Sequence, residues 1–195
     1  KRVKLKIIIL ICLLLFLSVK SSLSEEENDL SNFKESLIHY KYFSGIITQI
    51  QNNQVSIGKI NVANERIRLD YIDPSNITIV IKPKKGMYYN SDLDEVEYFN
   101  TKDTQAMIFY ELFYNNFFLL DFEEVNKKQL LIYKKKQNIS DEDILVEIIF
   151  EKKPILLREI ILKGENTNLK IGLSDHDFNP IFEKKFFSMA NPTLR

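Results

Sequence analysis

From residue 58 to residue 113 the chain alternates apolar and polar positions in two strand-like runs, turns, runs again, and then becomes apolar on nearly every side. In residues 65–71, Ile67, Leu69 and Tyr71 fall on one side and Arg66, Arg68 and Asp70 on the other. That two-residue period predicts a strand with one oily face and one solvated face. Pro74 ends the strand, Ile77-Thr78-Ile79-Val80-Ile81 resumes one, and Pro83-Lys84-Lys85-Gly86 turns the chain into Met87-Tyr88-Tyr89-Asn90, each break carrying its own turn residue. Residues 104–115 read as a helix capped by Thr104 or Asp103, and within residues 106–113 only Glu111 is charged. Ala106, Phe109, Tyr110, Phe113 and Phe117 form one stripe, Ile108 and Leu112 another. A helix apolar all round needs cover all round. It is either a buried core helix, which the pattern of this segment alone favours, or a lid with one stripe on an apolar cavity, to which the order of elements around it points.

Either side of this region the pattern is simpler. Leu30, Phe33 and Leu37 recur at helical spacing, which predicts an amphipathic helix over residues 30–40. Strands are predicted at 43–51 and 55–62, joined by the polar turn Gln51-Asn52-Asn53-Gln54, and beyond the central helix at 129–135, 144–150, 156–162 and 168–173. Their connectors are short and polar, so neighbouring strands should pair antiparallel. No internal repeat or domain boundary interrupts them.

The N-terminus has a different logic. Lys1, Arg2, Lys4 and Lys6 precede an apolar run from Ile7 to Leu17, and the small residues Ser22 and Ser24 stand just before Glu25. This order predicts a signal peptide over residues 1–24, cleaved to leave a single domain over 25–195. The competing reading, an uncleaved anchor, needs ~20 apolar residues to span a bilayer, and the run is too short. Cys12, the one cysteine of the sequence, lies inside the run and reads as part of the signal. The remaining chain then has no thiol or disulfide chemistry and must be held by its core. Whole-chain charge is 27 basic against 27 acidic residues, and removing the five basic residues of 1–24 leaves 22 against 27, a balance of −5 that disfavours nucleic acid as a partner.

Catalytic and metal-binding patterns are poor. His39 ends the first predicted helix, and Ser174-Asp175-His176-Asp177 reads as a polar surface turn, although its Asp-His-Asp run has metal-ligand chemistry in principle. Asp92/Asp94 and Asp141/Asp143 lack the third ligand, the Gly and the closing Glu of a calcium loop. With no nucleophile and base pair and no phosphate loop, the sequence predicts neither an enzyme nor a cofactor or metal protein.

Taken in order, Arg68-Leu69-Asp70-Tyr71, then Pro74, then Gly86 to Asn90, then Thr104, resembles the LolA family of periplasmic lipoprotein carriers. Phe43-Ser44-Gly45-Ile46-Ile47-Thr48-Gln49 is similar to that family's early strand, and Phe186-Phe187 extends the likeness toward the end. The resemblance implies an α+β, mainly antiparallel fold, an incomplete half-open β-barrel with a helical lid over an apolar cavity. It implies a monomeric periplasmic chaperone that shields lipoprotein acyl chains and delivers lipoproteins from the inner to the outer membrane. Its partners would be acylated lipoproteins, an inner-membrane lipoprotein-releasing ABC transporter and, where one exists, an outer-membrane acceptor. The alternative is an acceptor or a lipoprotein-sensing regulatory module of the same architecture. The lipid-binding cavity expected on this basis is lined by Leu30, Phe33, Leu37, Ile67, Leu69, Tyr71, Met87, Tyr89, Met107, Phe109 and Phe113. Two departures bear on the lid. The family's Arg-Pro pair, whose Arg latches the lid, falls at Ala63-Asn64 or Asn64-Glu65, and Gln105 stands where the lid helix often begins with Pro. With the Arg missing, closure is expected to rest mainly on apolar contact.

Overall fold

The computed structural model describes residues 33, 35–115 and 118–194. The chain divides into two compact units, Lys1–Ser36 and Leu37–Arg195. Of the first, Phe33, Glu35 and Ser36 are described and helical; the predicted signal segment and Leu30 lie outside the described residues. The second unit opens on helical residues 37–39, closed by backbone bonds from Tyr40, Lys41 and Tyr42 back to Leu37, Ile38 and His39.

Eleven strands follow in a single antiparallel sheet. They are β1 (Phe43–Gln51), β2 (Gln54–Ala63), β3 (Arg66–Asp73), β4 (Ile77–Ile81), β5 (Gly86–Asn90) and β6 (Glu95–Phe99), then β7 (Glu123–Asn126), β8 (Leu130–Ile139), β9 (Glu142–Lys152), β10 (Ile155–Lys163) and β11 (Asn168–Asp177). Helix α1 (Ala106–Tyr114) interrupts them after β6. The spatial order is β6-β5-β4-β3-β2-β1-β11-β10-β9-β8-β7. The two ends do not pair with each other, so the barrel stays open. Two-residue hairpin loops set much of the register: Asn52-Asn53, Asn64-Glu65 and Ser140-Asp141 all have both residues at positive φ, the twist-compatible turn geometry in which Asn and Asp are favoured. The place expected for the family's Arg-Pro pair is thus a tight β2–β3 turn.

The inner face of the sheet carries the core, with Ile144, Val146, Ile148 and Phe150 alternating inward along β9 and Leu157, Ile160 and Leu162 along β10. At one end an aromatic cluster joins Tyr40, Phe43, Phe113, His176 and Phe178 at centroid separations of 5.0–6.2 Å. Burial pushes the Tyr40 hydroxyl up to about 12, and it accepts the Leu157 amide at 2.7 Å. Asp175-His176-Asp177 is therefore the end of β11 and not a surface turn. His176 points into the aromatic cluster, its Nε2 2.9 Å from the Leu157 carbonyl, and burial lowers its pKa. Among the described residues no group of three or more His, Cys, Asp or Glu is placed to hold a metal ion, and no helix is long and apolar enough to cross a membrane.

The outer face corrects the expectation of one oily and one solvated side. Paired positions run across it as Asn61, Arg68, Val80, Met87 and Tyr98, and Val80, Met87 and Asn61 are buried. The C-terminal segment covers them. The Arg68 guanidinium lies 4.6 Å from the Phe186 ring centroid and donates to the Phe186 carbonyl at 2.5 Å, while Arg66 donates to the Phe187 carbonyl at 3.1 Å. Farther along the row the Tyr98 hydroxyl donates to the Met189 carbonyl at 3.0 Å. Asp70 accepts from Arg68 and from Thr78, fixing the guanidinium in place. Beyond the reach of this strap, Ile46, Ile50, Val55 and Ile57 on the outer side of β1 and β2 remain exposed.

Candidate functional site

On the inner face the sheet wraps around a cleft of about 510 Å³. Its walls come from both halves of the sheet: Leu69, Tyr71, Ile79, Ile81, Tyr88 and Phe99 from β3 to β6, and Ile139, Ile144, Leu169 and Ile171 from β8, β9 and β11. Register explains the first group, because Leu69, Ile79, Tyr88 and Glu97 are successive partners across four strands and so share one face. Ile67, Ile81, Gly86 and Phe99 form the next row. Gly86 is required there, since a Cβ on it would stand 2.0 Å from the Phe99 ring. The Phe99 ring packs against that bare backbone and becomes part of the wall.

The polar members gather at the ends and rim. Tyr71 donates to Gln49 Oε1 at 2.5 Å and Gln49 donates to Gln51 at 3.2 Å; burial raises the Tyr71 pKa. Glu142, in the wall beside Ile139 and Ser140, accepts from the Thr167 hydroxyl at 2.7 Å and from the amides of Asn166 and Thr167 at 2.6 and 3.1 Å. The Thr167 hydroxyl and the Asn166 amide hold its carboxyl below the usual range. A Cβ on Gly164 would come within 2.3 Å of the same carboxylate, so glycine at that turn makes the approach possible.

Helix α1 contributes Ala106 and Phe109 to the cleft wall and is tied at both ends. At its start Gln105 donates to Thr167 Oγ1 at 3.2 Å, and Ser140 donates to the Asp103 carbonyl at 2.5 Å. At its end the Tyr114 hydroxyl donates to the Arg66 carbonyl at 3.0 Å and accepts the Arg66 amide at 3.1 Å. Burial raises the Tyr114 pKa, which keeps the phenol a donor. These polar ties stand beside the apolar contact expected from sequence. The Arg66 side chain takes no part; it faces outward, as strand parity predicted, and only its backbone holds the helix. A second cleft of about 590 Å³ adjoins, with Met107, Ile108, Glu111 and Lys102 on one wall and the β8–β9 turn on the other.

Of the eleven residues expected to line a cavity, Leu69, Tyr71 and Phe109 do line the first cleft. Ile67, Phe113 and Leu37 are buried in the body without lining it, and Met107 borders the second cleft. Phe33 belongs to the Lys1–Ser36 unit rather than to the body that carries the cleft, and Leu30 is outside the described residues. Met87 and Tyr89 lie on the other face: Met87 pairs with Val80 beneath the strap, and Tyr89 pairs with Thr78 and its hydroxyl reaches Asp94 at 3.4 Å. The reason is parity, since Tyr88 is the residue of β5 that shares a face with Leu69. Ile79, Ile81, Phe99 and the far wall were not named from sequence. Ile79 and Ile81 follow once the β3–β4 register is known and Phe99 once the β4–β5 and β5–β6 registers are added; Ile144, Leu169 and Ile171 depend on long-range strand order that local pattern does not carry.

No protein-family model matches this sequence and no curated protein sequence matches it. Solved structures do. An uncharacterized conserved protein from Thermus thermophilus is similar in fold, with a TM-score of 0.53 at 9% identity over 87% of this chain and 96% of that one. The complex of MucA and MucB from Pseudomonas aeruginosa gives a TM-score of 0.47 at 12% identity, over 83% of this chain and 59% of that one. A crystal structure of MucB gives 0.48 at 11% identity, over 86% and 64%, so this chain spans less than two thirds of those MucB chains.

Proposed function

We propose that the protein is a periplasmic carrier that shields the acyl chains of lipoproteins in the inner-face cleft and delivers them from the inner to the outer membrane. The observation that carries this reading is the cleft itself, about 510 Å³ and walled mainly by Ile, Leu, Phe and Tyr from both halves of an open sheet, within the roughly 300–1,000 Å³ of ligand pockets. Each methylene moved from water into such a wall gains about 0.8 kcal/mol, so chain length alone supplies affinity and no sequence-specific contact with the cargo is needed. In this reading α1 is the lid. Its polar ties, Tyr114 to the Arg66 backbone and Gln105 to Thr167, are few and lie at its ends, so a membrane-bound donor or acceptor can shift the closed and open populations. The donor would be an inner-membrane lipoprotein-releasing ABC transporter.

Capture of an acylated lipoprotein by the purified full chain, against the same protein lacking its acyl chains, tests the reading. Retention of the acylated form only, with that lipoprotein found by mass spectrometry on protein isolated from its host, is the expected result. Equal capture of both forms contradicts it.

A further inference from the structure

The cleft has a charge signature that its apolar walls do not require. Among the described residues its only ionisable carboxylates are Glu97, Asp103 and Glu142, and no Lys, Arg or His lines it. Glu97 and Asp103 are exposed at the rim, where a head group would emerge. Glu142 is held in its charged form by the Thr167 hydroxyl and the Asn166 and Thr167 amides. One feature of opposite sign opens here, the N-terminus of α1, worth roughly half a positive charge. The whole charge of Asp103, which lines the same cleft and precedes the Gln105 cap by two residues, outweighs that. The adjoining cleft repeats the pattern, with Lys102 set against Asp103, Glu111 and Asp141. An anionic head group therefore meets repulsion, and no cation of the cleft wall is there to pair with it.

We propose that the cleft selects acyl chains by head-group charge, taking uncharged esters and amides of the glyceride and N-acyl kind and rejecting carboxylates such as free fatty acids. This rests on the acyl-carrier reading and goes beyond it, because a purely hydrophobic cleft would bind equal chains alike. A carrier working among membranes rich in free and ionised lipid would gain selectivity for cargo whose acyl groups are all esterified or amidated.

The test uses the full chain and three probes of one chain length: hexadecanoic acid, monopalmitoylglycerol and hexadecylamine, each competing with an uncharged fluorescent acyl probe below its aggregation concentration. The glyceride and the amine should compete, and the acid should be weaker by on the order of tenfold at low salt. That gap should narrow at high salt and in a Glu97→Gln/Asp103→Asn variant. Salt dependence on the unmodified chain keeps the test decisive if the variant folds poorly. Equal competition by all three probes, unchanged by salt, overturns charge selection and leaves the carrier reading standing. Failure of every probe to bind overturns both.

Discussion

Ile79 and Val80 are neighbours in β4, yet they face two differently built shelters. Val80 is fully buried under the C-terminal strap, whose carbonyls are gripped by Arg66 and Arg68 and whose Phe186 ring lies against the guanidinium. Ile79 faces the cleft, which α1 bridges from ties at its two ends. The strap is a run of turns, the Phe186 amide donating to the Glu183 carbonyl at 3.0 Å and the Ser188 amide to the Lys185 carbonyl at 2.9 Å, and its carbonyls bond directly to Arg66, Arg68 and Tyr98 of the sheet. The helix, tied at its ends, brings Ala106 and Phe109 to the cleft and leaves a volume between them and the sheet wall. The same strand thus contributes stability through one face and, on the carrier reading, ligand affinity through the other.

Substitutions on either face of the sheet distinguish the two shelters. Phe187→Ala should remove a buried anchor of the strap and cost about 3 kcal/mol in urea denaturation, leaving the folded protein's affinity for an acyl probe unchanged. A fall in affinity with no loss of stability would reverse the assignment of the two faces. Gly86→Ala sets a methyl against the Phe99 ring and should cost about 1–3 kcal/mol. Unlike Phe187→Ala it should also weaken probe binding, because Phe99 is wall, and a thermal melt with a parallel titration separates the two effects. Tyr114→Phe deletes the reciprocal bond to the Arg66 backbone, so it should lower stability by about 1 kcal/mol and speed probe release measured by stopped-flow dilution. The smallest effect concerns Glu142. Its folded pKa is depressed, so the stability it contributes is present above its unfolded pKa and is lost as pH falls through the folded value. Glu142→Gln should accordingly be less stable than the parent at neutral pH and indistinguishable from it in acid; a difference that grew on acidification would contradict the hydrogen-bonded role given to the carboxylate.

Much of the fold was legible because its strands are locally written. The alternation of Ile67, Leu69 and Tyr71 placed β3 with the correct face inward, the Asn52-Asn53 turn placed the β1–β2 hairpin, and the apolar run at 106–113 located α1. The site was legible only where the period of one element sufficed, strand parity for Leu69 and Tyr71 and the helical stripe for Phe109. In β5 both faces are covered, so Met87 and Tyr88 look equally fit for a cavity, and nothing local says that a strap from residues 186–189 shelters the first. That strap has no strand or helix period to betray it. Asp175, His176 and Asp177 misled for a related reason: a run of polar residues resembles a turn, and the aromatic cluster that shelters His176 is assembled from positions far apart in sequence. The helix ties of Gln105, Ser140 and Tyr114 were equally hidden, since each bonds to a partner more than thirty positions away.

Tyr88 and Tyr89 offer the most direct test of the central claim that the inner face carries an acyl-binding cleft. They are adjacent, alike in chemistry and both partly exposed, but only Tyr88 lines the cleft. Titration of a fluorescent acyl probe into Tyr88→Ala and Tyr89→Ala should show affinity reduced about tenfold in the first, as loss of apolar contact worth about 1.4 kcal/mol implies, and unchanged in the second. Equal losses in both variants, or a loss confined to Tyr89→Ala, would contradict the account.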